Sequence, residues 1–353
     1  MNDARDSIDT DAVVIGAGPV GLYQVFQLGL LGAHAHVIDA LPRAGGQPAE
    51  LYPDKPIYDL PGQPACTGQQ LTDTLLVQIA PFEPALHFGQ EAQALRRLPD
   101  GRWEVDTRAI AAPGGLTLRA RALFIAAGVG AFAPRPLKLP GIEAWEEQQL
   151  FYRPPDDVAD LPDGRVLIVG GGQTALTCAI TLAESGRHTV TLVHRRESFQ
   201  ADDDALARWR ALQTEGRVRF VAGQPAGFDT EGARLTALHI ADHAGMEHRV
   251  ALDAIVVLQG LSPRLGPIAD WGLALERKQL IVDPERFSTR APGIFAVGDI
   301  NTYPGKKKLL VCGFHEATLA AWGAWPVLFP GQPEPPLLYT SSSTRLQALL
   351  GKR

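Results

Sequence analysis

Cysteine is scarce in the 353-residue sequence, and its three copies, Cys66, Cys178 and Cys312, lie far apart. A disulfide framework or a zinc site would need clustered or paired cysteines, so we expect reduced thiols that pack inside the protein and no metal site. Basic residues are fewer than acidic ones, which gives a net charge of −6. Because phosphate affinity depends on surplus Lys and Arg, the charge disfavours a nucleic-acid-binding protein.

Long apolar runs are missing as well. No uninterrupted run reaches the roughly 18 residues that a membrane-spanning helix needs, and residues 1–11 are polar and acidic, unlike a secretory signal. We therefore expect a soluble, cytoplasmic protein without a membrane partner. At about 100–200 residues per domain, the length predicts two domains.

A first glycine motif follows a short apolar run, Asp11–Ile15, which is typical of a buried parallel strand. The motif is Gly16-Ala17-Gly18-Pro19-Val20-Gly21, and a helical pattern over residues 22–31 and a strand over residues 36–39 come next. In such a unit the glycines allow a tight turn, close approach of a pyrophosphate and close helix packing. Asp39 follows at the spacing of about 20 residues at which a carboxylate accepts the ribose hydroxyls.

A second motif, residues 170–175 with the sequence GGGQTA, follows another apolar strand over residues 165–169. A helix over residues 174–184 and a strand over residues 189–193 are predicted next, and then His194-Arg195-Arg196. Here positive charge replaces the acid of the first motif. A guanidinium at this place favours a 2′-phosphate, so the second site favours NADPH and the first an adenosine with a free ribose.

With its two glycine motifs, the sequence resembles the ferredoxin/flavodoxin–NADP reductases of the thioredoxin-reductase type over nearly the whole chain. The resemblance implies an α/β fold with two Rossmann-like, three-layer dinucleotide-binding domains, and FAD and NADPH as cofactors. It also implies a homodimer. Besides the two glycine motifs, it is carried by Gly45-Gly46-Gln47, Leu51–Lys55, Ile57–Asp59, Ala126–Phe132 and Gly293–Asp299.

By this resemblance Asp299 contacts the FAD ribityl hydroxyls, Tyr52 stacks on one flavin face, and Tyr339 covers the other with Thr340 near the ring. A helix-capping role for Asp299 and a plain polar tail around Tyr339 stay as alternatives. The residues predicted to bind FAD are Gly16, Gly18, Val20, Gly21, Asp39, Gln47, Tyr52, Ala92, Phe132, Asp299, Tyr339 and Thr340. The residues predicted to bind NADPH are Gly170, Gly172, Thr174, Ala175, His194, Arg195 and Arg196.

The resemblance also implies a discontinuous FAD domain, residues 1–135 and 283–353, with the NADPH domain inserted as residues 136–282. Proline-rich stretches at residues 134–141 and near Asp283-Pro284 are typical of such crossings.

The span ahead of the second glycine motif, residues 141–165, contains no cysteine, whereas thioredoxin reductases carry a Cys-x-x-Cys pair there. Dithiol exchange is therefore excluded, and electrons must leave the flavin directly, to ferredoxin or flavodoxin. Hydride transfer between two rings needs alignment, so we predict no catalytic triad. Because such partners are acidic, we expect Lys306, Lys307 and Lys308 to form a positive patch near the flavin. A plain solvated surface is the alternative for three lysines on a loop.

Two positions depart from the family pattern. Gln173 stands where relatives have Asp, and Gln200 stands where they have a second Arg. Gln200 leaves the choice between NADPH and NADH open, with Arg196 as the compensating candidate. Other functions also stay open: a small-disulfide or quinone reductase, and a flavin-holding sensor without enzyme activity. A flavin monooxygenase is disfavoured because its Phe-x-Gly-x-x-x-His signature is missing.

Overall fold

The chain forms two compact units in the computed structural model, which describes residues 7–111, 113–337 and 339–351, with Phe132 by its backbone alone. Unit 1 comprises Met1–Ala131 and Arg264–Arg353, and unit 2 comprises Phe132–Pro263. One unit is therefore inserted into the other, as the α/β fold prediction requires.

The return crossing differs from the sequence expectation, which places it between residues 282 and 283. In the structure the division falls between Pro263 and Arg264. The physical reason is burial, because Ile268, Leu280 and Val282 pack into the hydrophobic core of unit 1.

Unit 1 contains twelve strands and six α-helices among the described residues, numbered here along the whole chain. Its strands are β1 Ser7–Ile15, β2 Ala35–Asp39, β3 Pro56–Ile57, β4 Cys66–Thr67, β5 Ala85–Phe88, β6 Gln90–Arg97, β7 Trp103–Ala109, β8 Thr117–Ile125, β19 Leu275–Glu276, β20 Gln279–Ile281, β21 Ile294–Ala296 and β22 Asn301–Thr302. Its helices are α1 Pro19–Leu31, α2 Gly46–Leu51, α3 Gly68–Ile79, α6 Leu310–Gly323, α7 Trp325–Leu328 and α8 Thr344–Leu349.

The main sheet of unit 1 has seven strands in the order β5-β2-β1-β8-β7-β6, with β21 paired to β8. Strand β1 runs parallel to both of its neighbours, β2 and β8. Its residues Ala12, Val13 and Val14 are fully buried, which is why a continuous apolar run, rather than an alternating one, forms this strand. The carboxyl ends of β1 and β2 thus lie side by side at one edge of the sheet.

Unit 2 contains β10 Leu150–Phe151, β11 Gly164–Val169, β12 His188–His194, β13 Val218–Ala222, β14 Gln224–Glu231, β15 Arg234–Ala241, β16 Glu247–Ala251 and β17 Ala254–Val257, with α4 Gln173–Glu184 and α5 Asp203–Thr214. A parallel sheet has the order β10-β17-β11-β12-β13, and β14-β15-β16 form a second, antiparallel sheet. The crossing strands are β9 Ala131–Pro134 and β18 Leu261–Arg264.

Strand β11 shows how the layers of unit 2 arise. Val166 and Ile168 pack into one apolar cluster with the helix residue Leu176. Leu167 and Val169 point to the opposite face and join a second cluster, to which strand β15 contributes. Since successive strand residues alternate between faces, one apolar run supplies both cores of a three-layer arrangement.

The predicted strand–turn–helix–strand units are both confirmed, as β1–α1–β2 and β11–α4–β12. Among the described residues, no helix combines the length and the apolar character needed to span a bilayer.

Candidate functional site

The first glycine turn joins β1 to α1. Gly16 has φ +107°, and a Cβ atom there would lie 2.4 Å from the carbonyl oxygen of Ala126. At Gly21 a Cβ would lie 1.8 Å from the Gly16 carbonyl oxygen. Both glycines are therefore required by close backbone packing, in the roles that the motif predicts for them.

Gly18, between them, has room for a Cβ atom without a clash. The nearest atom to a Cβ built there is the Gly46 Cα, at 3.8 Å. Gly18 is also the N-cap of α1, and no described side chain caps this helix. The first N–H groups of α1 are thus left for an external acceptor, which is how helix N-termini hold phosphates.

Asp39 ends β2 beside this turn. Its Oδ2 accepts a hydrogen bond from the Ala17 N–H at 2.6 Å, and its Oδ1 accepts one from the Leu41 N–H at 2.8 Å. Burial raises the pKa of the Asp39 carboxyl, and these two backbone N–H groups lower it in part. The side chain is therefore held in one orientation at the end of the strand.

The start of α2 closes the first turn from the other side. The Gly45 N–H donates to the Ala17 carbonyl at 2.9 Å, and a Cβ at Gly46 would lie 2.9 Å from the Gly18 Cα. The run Gly45-Gly46-Gln47 carries part of the family resemblance, but no such backbone approach was predicted from it. Its signal in the sequence was the glycine pair itself.

The Tyr52 hydroxyl is influenced by two other predicted FAD residues, Gln47 and Asp299. Burial raises the pKa of the Tyr52 hydroxyl, the Gln47 side chain lowers it in part, and the Asp299 carboxylate raises it further. The structure thus brings three predicted FAD residues from α2 and from the segment after β21 into one electrostatic environment.

Asp299 lies in a single 3₁₀ turn, Gly298–Ile300, that follows β21. Burial raises the pKa of its carboxyl, Lys306 and Lys308 lower it, and Glu316 raises it. Val20 packs nearby, since a Cβ at Gly298 would lie 3.4 Å from a Val20 methyl carbon.

The prediction of a positive patch of three lysines is wrong for Lys306. Lys306 is 7% exposed and forms an ion pair with Glu316, which is fully buried. Lys307 and Lys308 are exposed. Sequence reasoning missed Glu316, because an acidic residue within an apolar helical stretch carries no mark of its partners.

The remaining predicted FAD residues are not brought together with these. The Ala92 methyl is buried in the core of unit 1, and the side chain of Phe132 lies outside the described residues. Tyr339 is 66% exposed, and Thr340 is exposed beside it. Their roles stay predictions from the resemblance.

The second glycine turn joins β11 to α4. A Cβ at Gly170 would lie 2.4 Å from the Leu258 carbonyl oxygen, and one at Gly171 would lie 2.4 Å from the His194 ring. At Gly172 a Cβ would meet nothing within 4 Å. As in the first turn, a closely packed glycine is followed by one where a Cβ atom would not clash. Ala175, at the third position of the motif, is fully buried.

The cationic residues of this site follow β12 directly. Arg195 and Arg196 are exposed, and among the described residues neither forms an ion pair. Burial, then the charges of Arg195 and Arg196, lower the pKa of His194. Because its usual pKa is already below 7, His194 is neutral at physiological pH, and the positive charge comes from the arginines alone. Thr174, in the first turn of α4, is exposed as well.

Of the two glutamines that depart from the family pattern, Gln173 has a side-chain partner, and Gln200 is held by its backbone N–H. The Gln173 Nε2 donates to the Asp202 Oδ2 at 2.7 Å, and its Oε1 accepts from the Asp202 N–H at 2.8 Å. The Gln200 N–H donates to the Gly171 carbonyl at 2.9 Å. The segment after β12 is thereby tied to the glycine turn on two sides.

The three cysteines are free. Burial raises the pKa of the Cys178 thiol to about 11, which keeps it protonated and unreactive at neutral pH.

Two glycine turns of this kind, each at the carboxyl ends of neighbouring parallel strands, define a protein with two dinucleotide-binding units. Residues 89–322 match the family model described as pyridine nucleotide-disulphide oxidoreductase. The chain belongs to the pyridine nucleotide-disulphide oxidoreductase family.

Named relatives narrow the comparison. The chain is 50% identical to a ferredoxin–NADP reductase of Albidiferax ferrireducens, with 99% of this chain and 98% of the relative covered. It is 52% identical to a ferredoxin–NADP reductase of Paracidovorax citrulli, with the same coverage. Among solved structures, the fold is similar to that of T. acidophilum thioredoxin reductase, with 21% identity, a TM-score of 0.55, and 90% of this chain and 98% of that chain covered.

Proposed function

We propose that this chain is a ferredoxin–NADP reductase that holds FAD in unit 1 and NADPH in unit 2. The main support for the proposal is that two equivalent strands are followed by side chains of opposite charge. Asp39 ends β2 as a fixed carboxylate, whereas Arg195 and Arg196 follow β12 as exposed cations. The names of relatives that are half identical over their full length support the same reading.

The residues of unit 1 fit FAD. Gly18 and the uncapped N-terminus of α1 offer backbone N–H groups to a pyrophosphate. The Asp39 carboxylate accepts ribose hydroxyls, and Asp299 accepts those of the ribityl chain. Gln47 and Tyr52 flank the flavin ring, where an aromatic side chain excludes water. Tyr339 and Thr340 are proposed to cover the opposite face.

The residues of unit 2 fit NADPH. The open backbone at Gly172 and the first turn of α4 with Thr174 receive the pyrophosphate. Arg195 and Arg196 donate charge-assisted hydrogen bonds to the 2′-phosphate. When bound, FAD supplies the redox chemistry, since it exchanges an electron pair with a nicotinamide and single electrons with an iron–sulfur partner. The protein aligns the two rings and supplies no acid or base.

The acceptor is proposed to be ferredoxin or flavodoxin, because the free cysteines offer no dithiol relay. An acidic partner would meet the exposed Lys307 and Lys308, beside Leu309 and Val311, which are 46% and 36% exposed. Exposed apolar side chains ringed by charge are typical of protein docking sites. A homodimer and a cytoplasmic location stay proposals from sequence.

The decisive experiment mixes the purified protein anaerobically with NADPH or NADH while flavin absorbance is followed, and then adds ferredoxin. Thioredoxin and a small disulfide serve as parallel acceptors. We expect bleaching mainly by NADPH and rapid reoxidation by ferredoxin. No bleaching by either nucleotide would refute a reductase, and bleaching reversed by the small disulfide alone would point to disulfide reduction.

The docking surface is tested with the double variant Lys307→Glu/Lys308→Glu. We expect the rate constant for association with ferredoxin to fall about tenfold or more at low ionic strength and to lose its salt dependence. Reduction of ferricyanide, a small acceptor, serves as the control and should keep its rate. An unchanged ferredoxin rate would remove these lysines from the docking surface.

A further inference from the structure

Glu316, on α6, is a fully buried carboxylate with four hydrogen-bond donors around it. Its Oε2 accepts from the Gly298 N–H at 2.7 Å and from the Asn301 Nδ2 at 2.8 Å. Its Oε1 accepts from the Tyr303 hydroxyl at 3.0 Å and from the Lys306 Nζ. All of its acceptor capacity is thus used on the segment that leads into and out of Asp299.

Lys306 completes the arrangement from the other side. Besides its ion pair with Glu316, the Lys306 Nζ donates to the Gly298 carbonyl at 2.8 Å. The N–H and the C=O of Gly298 are therefore bound to two opposite charges that are themselves paired. The Gln279 Nε2 also donates to the carbonyl of Asp299 at 3.1 Å.

Gly298 has a conformation that is open to glycine and to few other residues. Its φ is +79°, in the left-handed region, and the residue that follows is Asp299. A rotation of either peptide unit that Gly298 joins would redirect the Asp299 side chain. Glu316 binds the N–H of the Val297–Gly298 unit and Lys306 binds the C=O of the Gly298–Asp299 unit, so neither unit can rotate without breaking a bond to a buried charge.

A stability role alone explains this arrangement poorly. Burying two charges costs desolvation energy, and replacing a buried ion pair by apolar groups is often neutral or even stabilising. A cluster of this kind is therefore better explained by the position that it fixes. The position fixed here is that of one carboxylate, since the bonded groups flank Asp299 on both sides.

We propose that Glu316 and Lys306 are positioning residues that hold the two peptide units joined at Gly298 so that the Asp299 carboxylate meets the ribityl hydroxyls of FAD. This inference rests on the proposed function, because it requires FAD in unit 1. Tyr303 and Asn301 orient the Glu316 carboxylate and take no part in binding themselves. The ring of Tyr303 also lies under the Lys306 ammonium, 5.4 Å from it.

The test is FAD affinity, measured by titrating the full chain, stripped of flavin, with FAD and following flavin fluorescence. In Lys306→Met the Gly298 carbonyl loses its charged donor. We expect the dissociation constant for FAD to rise about ten- to a hundredfold, the loss typical of one charge-assisted hydrogen bond. The matched control is Lys138→Met, which removes the same charge from an exposed lysine of unit 2 and should leave the constant unchanged.

A double-mutant cycle separates positioning from mere stabilisation. In an Asp299→Asn background, Lys306→Met should have little further effect on FAD affinity, because the group that it positions is already altered. An equal fold-change in both backgrounds would overturn the inference, as would Lys306→Met with wild-type affinity.

If Lys306→Met fails to fold because Glu316 is left unpaired, Lys306→Met/Glu316→Gln removes both charges together, and Tyr303→Phe removes one neutral donor. The same cycle is then run with either variant, with a smaller fold-change expected for Tyr303→Phe. A wild-type chain that takes up no FAD would overturn both the proposed function and this inference. Normal FAD uptake that neither variant changes would overturn the inference alone.

Discussion

The two glycine turns share a backbone plan but differ in how the rest of their units engages them. The first is enclosed: Gly46 approaches Gly18 closely, and Asp39 is bound to two backbone N–H groups. The second is open at Gly172, and the arginines after β12 are exposed. An enclosed, pre-oriented site suits a cofactor that stays bound, and an open site with exposed cations suits a nucleotide that exchanges every turnover.

The largest expected effect comes from filling the packed glycine of the first turn. Gly21→Ala puts a Cβ 1.8 Å from the Gly16 carbonyl oxygen, so we expect a loss of about 3 kcal/mol or more in the free energy of unfolding, and loss of bound flavin. Urea unfolding and the flavin-to-protein ratio measure both. The control is Gly172→Ala, where a Cβ meets nothing within 4 Å. A stable, flavin-loaded Gly21→Ala protein would show that the close packing at Gly21 is not needed for the first site.

The charge at the second turn gives the next largest effect. In Arg195→Ser/Arg196→Ser we expect KM for NADPH to rise about ten- to a hundredfold, because hydrogen bonds to a charged phosphate are lost. KM for NADH should stay the same. Arg210→Ser, which removes another exposed charge of unit 2, is the control. Equal losses for both nucleotides would argue against a 2′-phosphate at these arginines.

Histidines on the two equivalent strands should respond differently to acid. On β2, burial, together with His87 and His34, lowers the pKa of His36 from 6.5 to about 4, and its Nδ1 lies 2.9 Å from the His87 Nε2. Between these pH values the unfolded chain binds the extra proton, so stability present above pH 6.5 is lost as the pH falls towards 4. We expect a loss of about 1–2 kcal/mol, after allowance for partial exposure.

Urea unfolding at a series of pH values checks this expectation. His36→Gln should flatten the acid slope, whereas His194→Gln on β12 should flatten it less. Identical slopes in the wild type and in His36→Gln would show that the pair of imidazoles does not control acid stability.

The smallest expected effect concerns the family departure at Gln173. Gln173→Asp places a carboxylate near the Asp202 carboxylate, which now accepts the Gln173 amide at 2.7 Å. We expect unit 2 to lose about 0.5–1 kcal/mol and NADPH to bind only slightly more weakly, since the pair is exposed. The variant Gln173→Ala separates the lost bond from the repulsion. A more stable Gln173→Asp would mean that Asp202 is not its partner.

Local features of the two turns were predictable from the sequence. A strand, a glycine motif and a charge at a set spacing lie within about 30 residues of each other, and the physics that links them is local. Gly171 is an instructive exception. Its need for glycine comes from the His194 ring, which reaches it only once β12 lies beside β11.

What the sequence could not reveal depends on distant partners. Lys306 belongs to a lysine run that predicts a surface, and only the folded position of Glu316, ten residues on, makes it a buried ion pair. Gln173 and Asp202 lie 29 residues apart. Likewise, residues 264–282 join unit 1 because their apolar side chains fill its core, which no proline or glycine signal announces.

The inserted topology bears on how the chain folds during synthesis. Unit 2 is one continuous segment, Phe132–Pro263, so it can fold as soon as that segment has left the ribosome. Unit 1 must wait for β21 to pair with β8 and for α6 to bring Glu316 beneath Gly298. At about 5–20 residues per second, synthesis of the chain from Pro263 to the end of α6 takes roughly 3–12 s. A nascent chain would therefore expose the open edge of β8 to chaperones or to other chains until the later segment arrives.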